Sequence, residues 1–165
     1  MSIAPADIRV KVADYAVRRG QQVIVTIGLG SCVAIALYDR DTQVGGLAHI
    51  LLPSPTMSRE TNNPAKFPET IVPIMLQEMR ALGMTSSARV SAKIAGGASM
   101  FGQLVSNSGI NVGERNIIAT REVLAAAGIP LIAEDTGLDY GRSVYFHLAD
   151  GRFEIRSLKK GDRVL

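Results

Sequence analysis

The chain has 165 residues, 47% of them hydrophobic and 20% charged, and a formal net charge of +3. That is enough chain for one domain over residues 1–165 with a buried core, and its scattered lysines and arginines, without interleaved aromatics, argue against nucleic-acid binding. One cysteine excludes an intrachain disulfide, no apolar run approaches the roughly 18 residues that span a bilayer, and Met1 to Asp14 lacks a signal-peptide profile; the expectation is a cytoplasmic protein without membrane insertion.

Ile8-Arg9-Val10-Lys11-Val12 alternates apolar and charged residues and predicts a half-buried strand. Arg18-Arg19-Gly20 reads as a turn, and Gln21 to Ile27 as a second strand. It runs into Gly28-Leu29-Gly30-Ser31-Cys32-Val33, which holds the only cysteine. Ala34 to Val44 reads as strand, polar turn, strand, continuing through Gly45-Gly46-Leu47-Ala48-His49, one of two histidines. If this hairpin folds symmetrically about the Arg40–Asp41 bond, Cys32 faces His49, and directly opposed Cβ atoms lie about 4.5–5.5 Å apart.

Pro53 to Pro64 is polar and proline-punctuated, a surface loop. Ile71, Val72, Met75, Leu76, Met79 and Leu82 recur at helical spacing, with Gly83 suited to the end and Phe67 expected in the core. Pro68 fits a first turn, whereas Pro73 implies a kink or a later start. Val90 to Ala95 predicts a buried strand ending in Gly96-Gly97, either a tight turn or a place where another chain or a ligand meets the backbone closely. Asn111 suits the cap of a helix to Ala127 whose inward face is Ile117, Ile118, Val123 and Leu124; Arg115 and Asn116 can bind an anion or amide, or serve as helix-end hydrogen-bond partners. Ile129 to Ala133 is a further strand, and Arg142 to Leu148 and Arg152 to Leu158 form a hairpin about Asp150-Gly151, with His147 on its outer face. The sum is an α/β fold with mixed or antiparallel sheets.

A lone cysteine on an apolar strand is usually a small hydrophobe. Here three features point to chemistry. The Gly28–Ser31 turn can expose N–H groups beside the sulfur, favouring thiolate and later an oxyanion; Cys32 and Gly30–Ser31 are the candidate donors, with Gly96 and Gly97 as further substrate or oxyanion residues. His49 is placed as base, and Thr26 to hold its second ring nitrogen. The pattern is that of thiol-based hydrolysis. Other sites fail: Gly28-Leu29-Gly30 has Val33 where a dinucleotide fingerprint needs glycine, no Gly-Lys-Ser/Thr marks a P-loop, and one cysteine with two histidines is too few for zinc, so neither cofactor nor metal is expected.

Thr26, Gly28 to Val33, Gly46 to Pro53, Ala95-Gly96-Gly97-Ala98-Ser99-Met100-Phe101, Gly113-Glu114-Arg115-Asn116-Ile117 and Gly141-Arg142-Ser143-Val144-Tyr145-Phe146 carry a resemblance to the CheD family, the chemoreceptor glutamine deamidases of bacterial and archaeal chemotaxis. It runs from about Ile24 to Arg156. The resemblance implies a two-sheet sandwich core with helices packed outside, similar to the catalytic domain of cytotoxic necrotizing factors. It also implies conversion of glutamine to glutamate in methyl-accepting chemotaxis receptors, and a CheC-type phosphatase as a partner of some members; methyl-ester hydrolysis has also been associated with the family. The competing expectations are a non-catalytic adaptor for receptors or phosphatase, and a general cysteine peptidase.

Overall fold

A computed structural model describes residues 6–99 and 111–165; Met100-Phe101 of the glycine-rich motif lie outside the described residues. In chain order the elements are β1 (Ile8–Arg9), β2 (Asp14–Arg19), β3 (Val23–Leu29), β4 (Val33–Asp39), β5 (Val44–Ile50), α1 (Pro68–Ala81), β6 (Val90–Gly96), α2 (Val112–Ala126), β7 (Leu131–Thr136), β8 (Arg142–His147), β9 (Phe153–Arg156) and β10 (Arg163–Val164). They form two mixed sheets, ordered β1-β3-β8-β9-β10 and β2-β5-β4-β6-β7. Each has one parallel pair, β1 with β3 and β6 with β7.

The period-2 pattern of strands sorts side chains into two apolar layers. Ile24, Val144, Phe146, Phe153 and Ile155 of the first sheet meet Cys32, Ala34, Ala36, Leu47 and Ala95 of the second. The alternate residues of the second sheet, among them Val33, Ile35, Ala48, Ile50 and Ile94, pack on Ile71, Met75 and Met79 of α1 and Ile117 and Leu124 of α2. The order is therefore sheet, sheet, helices. Small residues line the layer between the sheets, and a Cβ on Gly45 would come 2.7 Å from Leu148 Cδ2.

The helix ends follow from sequence chemistry. Gly83 (φ +115°) takes the left-handed position after α1, with Gly83 N–H on Arg80 O and Met84 N–H on Met79 O, a Schellman closure. Gly128 ends α2 in the same way. Asn111 caps α2 by accepting from Glu114 N–H at 2.9 Å. Phe67 is fully buried, as expected.

Several expectations are corrected. The first strand stops at Arg9, and Val12 is exposed, because the chain turns through Ala13 at φ +57°. Arg18 and Arg19 belong to β2, an edge strand on β5; exposed charges typical of protected edges disguise it, and only Gly20 (φ +113°) turns. Pro73 sits inside α1, which starts at Pro68 and not later; Pro73 and Glu69, whose carbonyl loses its partner, are both on the exposed side. Ile118 is exposed and Val123 only partly buried, whereas Gly113, Asn116 and Thr120 join Ile117 and Leu124 inside. The short β10 on β9 is an addition.

The most consequential correction is the register of the β4–β5 hairpin. Asp39 pairs with Val44 and Ala34 with His49, so Cys32 does not lie directly opposite His49. The loop is one step further along than the symmetrical fold about Arg40–Asp41, because the Asp39 carboxylate accepts from Asp41 N–H (3.1 Å) and Thr42 Oγ1 (2.8 Å), and Gln43 takes φ +56°.

Candidate active site

β3 belongs to one sheet and β4 to the other, so the segment between them crosses the sandwich. The β3–β8 pairing shifts register between Thr26 and Leu29, a bulge whose Gly28 stands at φ +76° and redirects the chain. Cys32 follows at the mouth of β4. It shares a face with Ala34, whose cross-strand partner is His49, so the cysteine and histidine are diagonal neighbours on the face turned toward the other sheet. Thr26 reaches His49 from that other sheet. All three are buried, yet Cys32 keeps 8% exposure while Thr26 and His49 have none, so of the three Cys32 is the one reached from solvent.

The hydrogen bonds of Thr26 decide the state of the imidazole. Its Oγ1 lies 2.7 Å from Val10 O and 2.7 Å from His49 Nδ1. A hydroxyl has one proton, and the Val10 carbonyl can only accept it. Thr26 therefore accepts from Nδ1–H, and Nε2 is left with its lone pair. Nε2 is buried and makes no hydrogen bond among the described residues, the Cys32 sulfur included. Burial holds His49 down to about 4, so the ring is neutral at physiological pH. Burial also pushes the Cys32 thiol up, partly offset by a hydrogen bond from its own backbone N–H. The resting pair is thiol and free imidazole, not an ion pair.

The turn before the sulfur is held by its carbonyls. Gly30 O accepts from Ala98 N–H (2.9 Å), Ser31 O from Asn116 Nδ2 (2.9 Å) and Cys32 O from Gly97 N–H (2.8 Å). Among the described residues, no backbone oxygen accepts from the N–H of Ser31 or Cys32. Gly96 and Gly97 have positive φ (+109° and +69°); a Cβ on Gly96 would come 2.2 Å from Cys32 O and one on Gly97 2.3 Å from Ile117 Cγ1. Gly96 is thus where the cysteine segment meets the backbone closely, and Gly97 is where α2 does.

The model of the CheD family, described as CheD chemotactic sensory transduction, matches residues 51–157. A protein of Caldanaerobacter subterraneus named "Probable chemoreceptor glutamine deamidase CheD" is 44% identical over 154 residues, 93% of this chain and 94% of its own length. The protein of that name from Pyrococcus abyssi is 44% identical over 155 residues, 94% of each chain. "Probable chemoreceptor glutamine deamidase CheD 2" of Geobacter metallireducens is 45% identical over 154 residues, covering 93% of this chain and 94% of the other.

The chain belongs to the CheD family.

In this CheD fold the sequence-predicted Cys32, His49 and Thr26 come together between the sheets. Gly30 and Ser31 are in the turn before the sulfur, and Gly96 and Gly97 lie behind it, with Gly97 N–H already bonded to Cys32 O. His147 lies on the outer face of its sheet, Nε2 3.5 Å from a Glu154 carboxylate oxygen. Arg115 lines a separate surface groove with Ile118 and Glu122.

Sequence reasoning did not foresee three parts of this CheD site. The Val10 carbonyl, which sets the imidazole tautomer, carries no side-chain signal. Arg142, buried beside Asp135 (Nε 3.1 Å from Oδ1), donates to Gly96 O at 2.8 Å and supports the glycine pair from the other sheet. Asn116 was readable as an anion or amide binder or as a helix-end hydrogen-bond partner, and neither reading placed it inward on the Ser31 and Leu51 carbonyls.

Proposed function

We propose that this chain hydrolyses the side-chain amides of specific glutamines in methyl-accepting chemoreceptors to glutamates. The names of the relatives support the substrate. The observation that carries the chemistry is the Val10 O–Thr26–His49 chain of hydrogen bonds, which leaves Nε2 as an unprotonated base beside the only cysteine.

In this mechanism the resting pair is neutral, and the thiol–imidazole hydrogen bond, absent in the free chain, forms as substrate closes over the sulfur. His49 Nε2 takes the Cys32 proton as the sulfur attacks the carboxamide carbon. The oxygen's developing charge meets the N–H groups of Cys32 and Ser31, donors held in place by the three bonded carbonyls of the turn; one such donor is worth about 2.7–4 kcal/mol where measured. The imidazolium returns the proton to nitrogen, the C–N bond breaks and ammonia leaves. Water then gives a proton to Nε2 and its oxygen to the thioester carbon, and that proton goes back to the departing sulfur. Thr26 keeps the ring in the tautomer that both steps need. No cofactor enters this chemistry.

The same reading includes a single domain over residues 1–165, the sandwich shared with cytotoxic necrotizing factors, action at the receptors' cytoplasmic part, and a CheC-type phosphatase as second partner. Incubating receptor cytoplasmic fragments with wild type and with Cys32→Ala tests it by intact mass and ammonia release. Wild type is expected to convert one amide to acid at each target glutamine, and the variant to lose about 10³-fold or more in rate. Binding of the fragments without any mass change by wild type would leave an adaptor, and cut backbone would leave a peptidase.

A further inference from the structure

Asn116 is fully buried on the inward face of α2, and the mechanism above makes no use of its side chain beyond holding one carbonyl. Its Nδ2 donates to Ser31 O at 2.9 Å and to Leu51 O at 3.1 Å. Two carbonyl partners identify the facing atom as the amide nitrogen. One amide thus ties the residue before the cysteine to the residue two after the histidine. Its Oδ1 is buried with no partner among the described residues, a cost that a leucine of similar size would not carry. The side chain is kept, on this argument, for its donor.

The Ser31–Cys32 peptide is trans, so its C=O and N–H point in opposite directions. A group that holds Ser31 O toward α2 therefore turns Cys32 N–H away from α2. The neighbouring carbonyls of Gly30 and Cys32 are held by main-chain donors of Ala98 and Gly97. Only the middle one depends on a side chain. Without it, rotation about the Ser31 Cα–C and Cys32 N–Cα bonds would exchange the N–H for a carbonyl oxygen that repels an oxyanion.

We infer that Asn116 is the positioning residue of the oxyanion site, fixing the Ser31–Cys32 peptide so that the Cys32 N–H faces the reacting carbonyl oxygen. The inference rests on the reading of Cys32 as nucleophile. It separates two activities of the same sulfur, since amide hydrolysis needs the N–H donor at the transition state whereas alkylation by iodoacetamide develops no oxyanion.

The test measures both rates on the full chain for wild type, Asn116→Leu, Asn116→Asp and Cys32→Ala, with a thermal melt of each. For Asn116→Leu, ammonia release from the receptor fragment is expected to fall about 10²-fold in kcat, KM and the rate of Cys32 alkylation each staying within about threefold. Asn116→Asp, which has the same shape but presents an acceptor to two carbonyls, is expected to behave alike and decides the matter if the leucine variant does not fold. A kcat within about twofold of wild type overturns the inference, as does a parallel fall of hydrolysis and alkylation, which marks a purely structural residue. Full activity in Cys32→Ala overturns the nucleophile reading itself, a result that no Asn116 variant can imitate.

Discussion

Both ends of the sandwich bury polar side chains, and they treat them differently. At the end marked by Tyr38 and Lys93, these two donors are bonded to backbone carbonyls: Tyr38 OH donates to Leu148 O at 2.7 Å, and Lys93 Nζ to Gly151 O at 3.0 Å and Leu165 O at 2.8 Å. At the Cys32 end, His49 Nε2 and Asn116 Oδ1 are buried without partners among the described residues, although Nδ1 and Nδ2 of the same side chains are bonded. Buried polar groups are nearly always satisfied, so unused hydrogen-bonding capacity calls for an explanation. The first end closes a fold. In the proposed mechanism, the second holds a base ready for a proton it has not yet received.

That contrast can be broken most sharply at His49. His49→Gln keeps a polar group of similar reach that cannot serve as a base, and its rate of glutamine hydrolysis is expected to fall by about 10²–10⁴-fold. Initial rates on the receptor fragment check this, and a loss under tenfold would mean that Nε2 is not the base.

Acid sharpens it next. The folded chain keeps His49 neutral down to about 4, against an ordinary 6.5, while the unfolded chain takes up the proton as pH falls through the ordinary value. The unfolded state therefore binds more protons between these two values. His49's contribution is fully present above the ordinary value, shrinks as pH drops through that window and is gone below the folded-state value, a change on the order of 3 kcal/mol. Urea midpoints from about pH 7 to about pH 4.5 measure it, and the wild-type slope is expected to exceed that of His49→Gln.

The smallest effect belongs to the other end. Tyr38→Phe removes the donor to Leu148 O and is expected to cost about 1 kcal/mol of stability with kcat unchanged. A change in kcat without a change in melting would mean that the two ends are coupled, and the division between them would fail.

Much of the site was legible in the chain, and the reasons differ from residue to residue. The glycine turn before Cys32 announced itself because few other residues accept positive φ, and the caps at Asn111, Gly83 and Gly128 act within a few residues of themselves. Thr26 and His49 were nameable as partners, but the cross-strand argument that joined His49 to Cys32 had the wrong register: the Asp39 carboxylate extended the loop, and the two side chains remained on one face because the displacement was an even number of residues along the strand. Arg18 and Arg19 hid a strand because an edge strand carries charge like a turn does. Ile118 and Val123 had the right polarity for the core and the wrong side of the helix to reach it fully.

By itself the sequence determined the local chemistry: one thiol beside a flexible turn, apolar periods that make strands and two amphipathic helices, and the punctuation that ends them. Only the tertiary structure decided which groups meet. That Thr26 crosses from the opposite sheet, that the carbonyl beyond it is Val10's, and that Asn116 spans Ser31 and Leu51 depend on contacts between residues far apart in the chain. Such contacts accumulate the length and bend of every loop between them, and one carboxylate in one turn is enough to shift the sum.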